Sequence, residues 1–236
     1  MIQKTFKHNL ISLPSIDSID RIDGDETTGR LYRLPDGSKV PSVTTVLGWY
    51  KKPQLAEWRK RLGEEEVKKV LKRTSERGTR VHAICEDYLH NKQIDTKTVN
   101  PFSLGMFKTI QKFVDRIDNV LGIELQMFSE HLGVAGTADV IADFDGRRSI
   151  IDFKTSDKSK KPEWIDTYFM QLSIYAVMYE ELTGVPVNNL VVIVAVENGE
   201  EQLFIQKRDQ WIGKSINVIN NYYDYHGLTH GKIAKV

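Results

Sequence analysis

The chain has 236 residues, 40% hydrophobic and 28% charged, with a formal net charge of +1 at pH 7. That is enough apolar material for one α/β domain with a full core, and no run approaches the ~20 apolar residues of a membrane span. Its single cysteine, Cys85, excludes an internal disulfide and a protein-held four-cysteine iron–sulfur cluster.

Residues 1–27 repeat Ile16, Asp17, Ile19, Asp20, Ile22 and Asp23 without a clean period, which reads as an irregular leader with at most one short strand. They have neither the apolar core of a secretory signal nor the acid-poor, Arg-rich character of a transit peptide. The expected location is the cytoplasm, or the host cytoplasm if the chain is phage-encoded. Leu31 to Leu34, a Pro35-Asp36-Gly37-Ser38 turn and Lys39 to Val46 read as a small hairpin. Ser42 and Thr44 near its end suit either a helix cap or a phosphate contact.

Pro53 to Leu62 reads as a short helix ended by Gly63, and Glu64 to Leu89 as a longer one interrupted at Gly78. Gly78, His82 and Glu86 share a face. A helical Gly costs about 1 kcal/mol, and close approach of a strand or of DNA is one return for it. From Lys51 to Arg80 there are eleven Lys or Arg against five Asp or Glu. Such a segment can track phosphates or be a solvated face with i,i+4 pairs such as Glu64–Lys68. Pro101 to Leu121 reads as an amphipathic helix, Ile123 to His131 as a strand, and Trp164 to Leu182 as a helix. Leu190 to Val196 is a buried strand, Gln202 to Gln206 its partner, and Asp209 to Tyr225 a last helix before a loose basic tail at 226–236. One domain results, with a leader at 1–27 and a core at 28–225.

The most informative stretch is Gly136 to Thr155. Two apolar runs flank Asp145-Gly146, the pair favoured where both central turn residues need positive φ. With those two as the turn, Ile141 faces Ile150, Asp139 faces Asp152 and Thr137 faces Lys154 on one side, while Val140 faces Ile151 on the other. Opposed like charges about 5 Å apart are destabilising, so two carboxylates in a buried hairpin call for a cation. A hard divalent metal, Mg²⁺ above all, suits them, and Lys154 shares their face. The rival reading is a solvated edge hairpin with alternating charges.

An Asp followed a dozen residues later by Asp-x-Lys at the end of a second strand resembles the PD-(D/E)xK nuclease core. The ordered set Pro41-Ser42-Val43-Thr44, Gly78-x3-His82-x3-Glu86, Gly136-Thr137-Ala138-Asp139, Asp152-Phe153-Lys154-Thr155-Ser156 and Gln171-x3-Tyr175 resembles its RecB-like branch. The similarity is greatest to the mitochondrial genome maintenance exonuclease family and related phage exonucleases. The resemblance implies a restriction-endonuclease-like α/β fold, a central mixed β-sheet flanked by helices, and a DNA exonuclease, single-strand-specific, that serves DNA processing, repair or recombination. It implies Mg²⁺ or Mn²⁺ held by His82, Asp139, Asp152 and the Phe153 carbonyl. It gives Lys154 the task of orienting or deprotonating a water, and places Gln171 and Tyr175 beside the attacked phosphate. Glu86, as a partner of His82, and Glu130 are secondary candidates. Ser42, Thr44, Arg80, Thr155 and Lys158 are the expected DNA contacts, with aromatic residues such as Trp164 available for base stacking. A structure-specific or restriction-like endonuclease on the same fold, or a non-catalytic DNA-binding accessory protein, are the alternatives.

Overall fold

The computed structural model describes residues 4–13, 19–24 and 29–228. Expectations for Ile16 and Asp17, and for 229–236 of the tail, lie outside the described residues. A small antiparallel sheet comes first, β1 (Asp20–Ile22), β2 (Leu31–Arg33) and β3 (Lys39–Pro41), in that order. Two helices follow, α1 (Val43–Leu62) and α2 (Glu64–Leu89), then α3 (Pro101–Val114). The main sheet runs β4 (Ile117–Ser129), β5 (Val134–Phe144), β6 (Arg147–Ser156), β7 (Asn189–Val196) and β8 (Glu201–Lys207), in that spatial order. Helix α4 (Asp166–Thr183) connects β6 to β7, and α5 (Ile212–Tyr225) closes the fold.

The sheet is mixed because one connection is a helical crossover. β6 and β7 are parallel, joined through α4, and all other neighbours are antiparallel. All eight residues of β7 are buried, as a central strand with both faces covered requires. Alternate residues feed two cores. Ile141, Ile150, Leu190 and Val192 face α1, α4 and α5, while Val140, Ile151, Val191 and Ile193 face α2 and α3. Each fully buried side chain of this size contributes roughly 1.5–3 kcal/mol.

Several boundaries differ from those expected. β3 ends at Pro41, and the helix expected from Pro53 starts ten residues earlier at Val43. Ser42 causes this: its side chain accepts from the Thr45 N–H and caps α1, and Val43, Val46 and Leu47 are buried beneath it. Pro53 sits inside that helix. Gly78 does not interrupt α2, which is continuous. α3 stops at Val114, and Ile117 to Leu121, expected as its last turn, opens β4. Five residues with apolar positions at Ile117, Val120 and Leu121 suit either element, and pairing with β5 decides for the strand. β4 in turn ends at Ser129 instead of His131. The α4 and α5 helices start at Asp166 and Ile212, each preceded by a 3-10 turn, at Pro162–Trp164 and Arg208–Gln210. The leader is less irregular than its sequence suggests: β1 pairs with β2, Phe6 is buried against α2 and α3, and Lys4 Nζ donates to the carbonyls of Asp115 and Ile117.

Candidate active site

The hairpin register is the one its turn dictates. Asp145 and Gly146 both have positive φ, 50° and 72°, and the ladder runs Phe144–Arg147, Asp143–Arg148, Ala142–Ser149, Ile141–Ile150 and Val140–Ile151. It ends there. Asp139 and Asp152, expected as the next facing pair, and Thr137 with Lys154 beyond them, are not ladder partners. A side chain takes over: Asp139 Oδ2 accepts from the Phe153 N–H at 2.9 Å. A strand residue directs its N–H and C=O to the same edge, so the Phe153 carbonyl also points to the β5 side.

Two clusters meet at this split. In the first, ligand atoms of His82, Glu124 and Asp139 lie within 4.8 Å of one another. His82 comes from α2, with Nδ1 3.4 Å from Asp139 Oδ2 and its ring edge-on to Phe153. Donors around Mg²⁺, at about 2.1 Å from the ion, are roughly 3–4.2 Å apart, so this group needs little closure to hold one. Its mixed nitrogen and oxygen donors also suit Mn²⁺. Asp139 has carboxylate lone pairs beyond the one given to Phe153. The donor set therefore fits a divalent cation.

The second cluster is buried. Asp152 is 1% exposed, and both its oxygens meet Lys154 Nζ, at 2.7 and 2.6 Å. Gln171 on α4 donates to Asp152 Oδ1 at 3.4 Å and to Tyr175 Oη at 3.3 Å. Lys154 also lies over the Tyr168 ring. Burial pushes the Asp152 carboxyl up to about 6, with the Asp139 charge adding to it against the pull of Lys154. Burial works against the Lys154 charge, but Asp152 and Asp139 prevail and raise its pKa above the usual lysine value. Desolvation first, then the Asp139 charge, pushes Glu124 up to about 7. Burial raises the Tyr175 hydroxyl as well, leaving it a neutral donor.

The Gly136-Thr137-Ala138-Asp139 motif has a steric reason. A Cβ on Gly136 would lie 2.8 Å from Tyr175 Cε1 and 2.9 Å from its hydroxyl, so only glycine lets α4 sit this close to β5. At Gly78 the nearest atom to an added Cβ is Thr155 Oγ1 at 3.8 Å, an ordinary contact, and close approach of the hairpin does not explain that glycine.

Other expected residues are placed less centrally. Ser42 and Thr44 line the cavity that holds His82 and Asp139, with their hydroxyls 2.9 Å apart. Glu86 pairs with His90, at 3.9 Å, and not with His82. Glu130 is exposed in the turn after β4, where its charge acts on Glu181. Arg80 is exposed and pairs with Glu76. Thr155 Oγ1 accepts from Arg77 Nε at 3.1 Å, and Lys158 is exposed. Trp164 is 52% exposed with Lys161 over its ring.

Two important residues escape sequence reading. Glu124 sits on β4 between Ile123, paired with Val140, and Leu125, paired with Ala138, which sets it beside Asp139. Its φ of 48° is rare for a glutamate and costs of order 1–3 kcal/mol. The only hint is a charge between Ile123 and Leu125. Arg77, 3% exposed, joins Thr155, Asp157 and Glu197, tying α2 to the end of β6 five residues before His82.

Residues 53–218 match the family model of the PD-(D/E)XK nuclease superfamily. Mitochondrial genome maintenance exonuclease 1 of Homo sapiens is 28% identical over 148 residues, 59% of this chain and 43% of the human protein. The Mus musculus protein is 28% identical over 149 residues, covering 60% and 44%, and that of Xenopus tropicalis 26% over 172 residues, covering 68% and 49%. The chain thus spans less than half the length of these relatives. With a family model running from α1 through the split hairpin into α5, over well more than half of its length, this chain belongs to the PD-(D/E)XK nuclease superfamily.

Proposed function

We propose that the chain is a divalent-metal-dependent deoxyribonuclease that shortens single-stranded DNA from an end. The observation that carries this reading is the adjacency of the His82–Glu124–Asp139 group to the buried Asp152–Lys154 pair, bridged by the Asp139–Phe153 hydrogen bond. We take the nuclease core to be a single domain over 28–225.

His82, Glu124 and Asp139, joined by Asp152 and the Phe153 carbonyl, would hold Mg²⁺ or Mn²⁺. Such an ion supplies Lewis-acid polarisation of a phosphate and lowers the pKa of a nearby water. Lys154, kept charged by its two carboxylates, stabilises negative charge developing on the attacked phosphate. In that role it acts as a cation rather than as a base. Gln171 holds Asp152 and Tyr175 in register from α4. Ser42, Thr44, Arg80, Thr155 and Lys158 remain the proposed DNA contacts, and the exposed Trp164 beside Lys161 offers a ring for stacking, worth roughly 1–3 kcal/mol per base. The exonuclease mode is supported by the printed names of the relatives. Single-strand preference is supported by the low net charge: duplex binding draws on many phosphate contacts, whereas a +1 chain has only local basic clusters.

The test is an end-labelled oligonucleotide assay at matched salt, with Asp139→Asn as control. Expected is Mg²⁺- or Mn²⁺-dependent shortening of single strands, far slower on blunt duplex, abolished by Asp139→Asn. Full activity of Asp139→Asn at saturating Mg²⁺ would remove the site. Linearisation of circular single strands would favour an endonuclease.

A further inference from the structure

The cavity that holds His82, Glu124 and Asp139 is larger than a metal site needs. It measures about 210 Å³, and its lining also includes Arg21 and Arg30, whereas Asp152 and Lys154 are not part of it. Arg21 is carried by β1, and Arg30 immediately precedes β2, so both belong to the small sheet. That sheet is held against the main one: Ser42 bridges to Ala135, and Tyr32 Oη lies 3.4 Å from Thr137 Oγ1.

The two guanidinium groups are gathered by one carboxylate. Asp23 Oδ1 lies 2.9 Å from Arg21 Nε and 3.4 Å from Arg30 Nε. Both contacts use the Nε edge; among the described residues the terminal nitrogens have no acceptor, and the buried Arg30 Nε makes no hydrogen bond. Among the described residues, two cations sharing one anion leave a surplus positive charge on the arginine pair. Planar forks with free terminal nitrogens match phosphate oxygens. The nearby Ser42 and Thr44 hydroxyls can add neutral hydrogen bonds, whereas the guanidinium groups are the permanently charged donors of the lining.

Size selects the ligand part. Sites for whole small molecules are about 300–1,000 Å³, so this smaller, polar cavity suits a phosphodiester and its sugar rather than a nucleobase. Within it, Glu124 and Asp139 attract a cation and repel a phosphate, while the arginines do the reverse. The reacting phosphate belongs where Asp139 borders Lys154, at the cavity's edge. The remaining space is left for the next phosphate along the strand.

We propose that Arg21 and Arg30 form a backbone-phosphate subsite for the nucleotide flanking the scissile bond, a reading that rests on the nuclease assignment above. The subsite is indifferent to base identity and acts on binding rather than on the chemical step.

The experiment compares wild type with Arg21→Gln, Arg30→Gln and the double variant on single-stranded oligonucleotides. Both side chains are partly exposed, and neither belongs to the core. Each substitution is expected to raise KM roughly tenfold, the loss of one charge-assisted hydrogen bond, with kcat little changed. The double variant should lower the slope of log KM against log salt by about 0.7, the value for one single-strand phosphate contact. On the wild-type protein, methylphosphonate replacement walked one phosphate at a time should reproduce the KM increase at a single flanking position. That position should give no further loss in the double variant. Unchanged KM and salt slope, with an active wild type, overturn the subsite and leave the nuclease reading standing. A fall in kcat at constant KM also overturns it, since the arginines would then act on the scissile group. A wild type that shows no metal-dependent cleavage overturns both readings.

Discussion

Gly136→Ala tests how closely α4 is seated on the sheet. The new Cβ would lie 2.8 Å from Tyr175 Cε1 and 2.9 Å from its Oη. Both are well inside the ~3.5–4 Å of favourable carbon contacts. The ring cannot swing aside: Tyr175 is 2% exposed and its hydroxyl is held by Gln171. Gly136 has no positive φ, so alanine brings no backbone strain and the whole effect is steric. Overpacking of this kind costs about 1–3 kcal/mol. At roughly 2–4 °C per kcal/mol for a chain of this size, melting should fall by several degrees. The displacement passes through Gln171 to Asp152, and an error near 1 Å at a reacting centre can cost about 10²-fold in rate. Thermal unfolding and single-strand cleavage should therefore both suffer. Tyr175→Leu, itself destabilising, should absorb part of the Gly136→Ala loss, giving a coupling of about 0.5–3 kcal/mol in a double-mutant cycle. A Gly136→Ala protein with wild-type melting and cleavage would refute the argument.

Gly78→Ala should go the other way. Its Cβ meets only an ordinary contact, so the helix gain of about 0.8–1 kcal/mol should raise melting by a few degrees; destabilisation would mean that α2 packs more tightly there than described. His82→Ala should weaken metal binding, seen by calorimetry, with partial rescue of cleavage by excess Mn²⁺; an unchanged titration would return His82 to a structural role. The pH dependence of stability should be inverted near neutrality in chelator. Glu124, raised from 4.5 to about 7, and Asp152, raised from 3.8 to about 6, keep protons in the folded state that the unfolded chain has released. Stability from these groups is therefore greatest below their unfolded pKa values and falls as pH rises through about 4 to 7. Divalent metal selects the ionised donors, so its stabilising shift in melting temperature should grow over the same window. A shift that does not vary with pH would count against Glu124 as a ligand.

What could be read from the chain alone was local. The register of β5 and β6 follows from Asp145-Gly146, because a two-residue turn with positive φ at both positions admits one pairing. The parallel core strand β7 was legible as an unbroken apolar run, and the motif residues Asp139, Asp152, Lys154, Gln171 and His82 could be named before any geometry was known. Tertiary structure decided the rest. Val114 to Leu121 mixes apolar with charged residues and has no period that decides between helix and strand, and only β5 chooses between them. The hairpin stops pairing at Val140–Ile151 because the Asp139 side chain takes the Phe153 N–H, a contact that no ladder count contains. Glu124, Arg77, Arg21 and Arg30 sit in segments without motif spacing. For Glu124 and Arg77 the neighbours come from other elements, Asp139 from the adjoining strand and Asp157 and Glu197 from two loops, while Arg21 and Arg30 share the nearby Asp23 and reach the site only because the small sheet docks on the main one. Periodicity reports which face of an element a residue occupies, whereas a site is made by which faces meet.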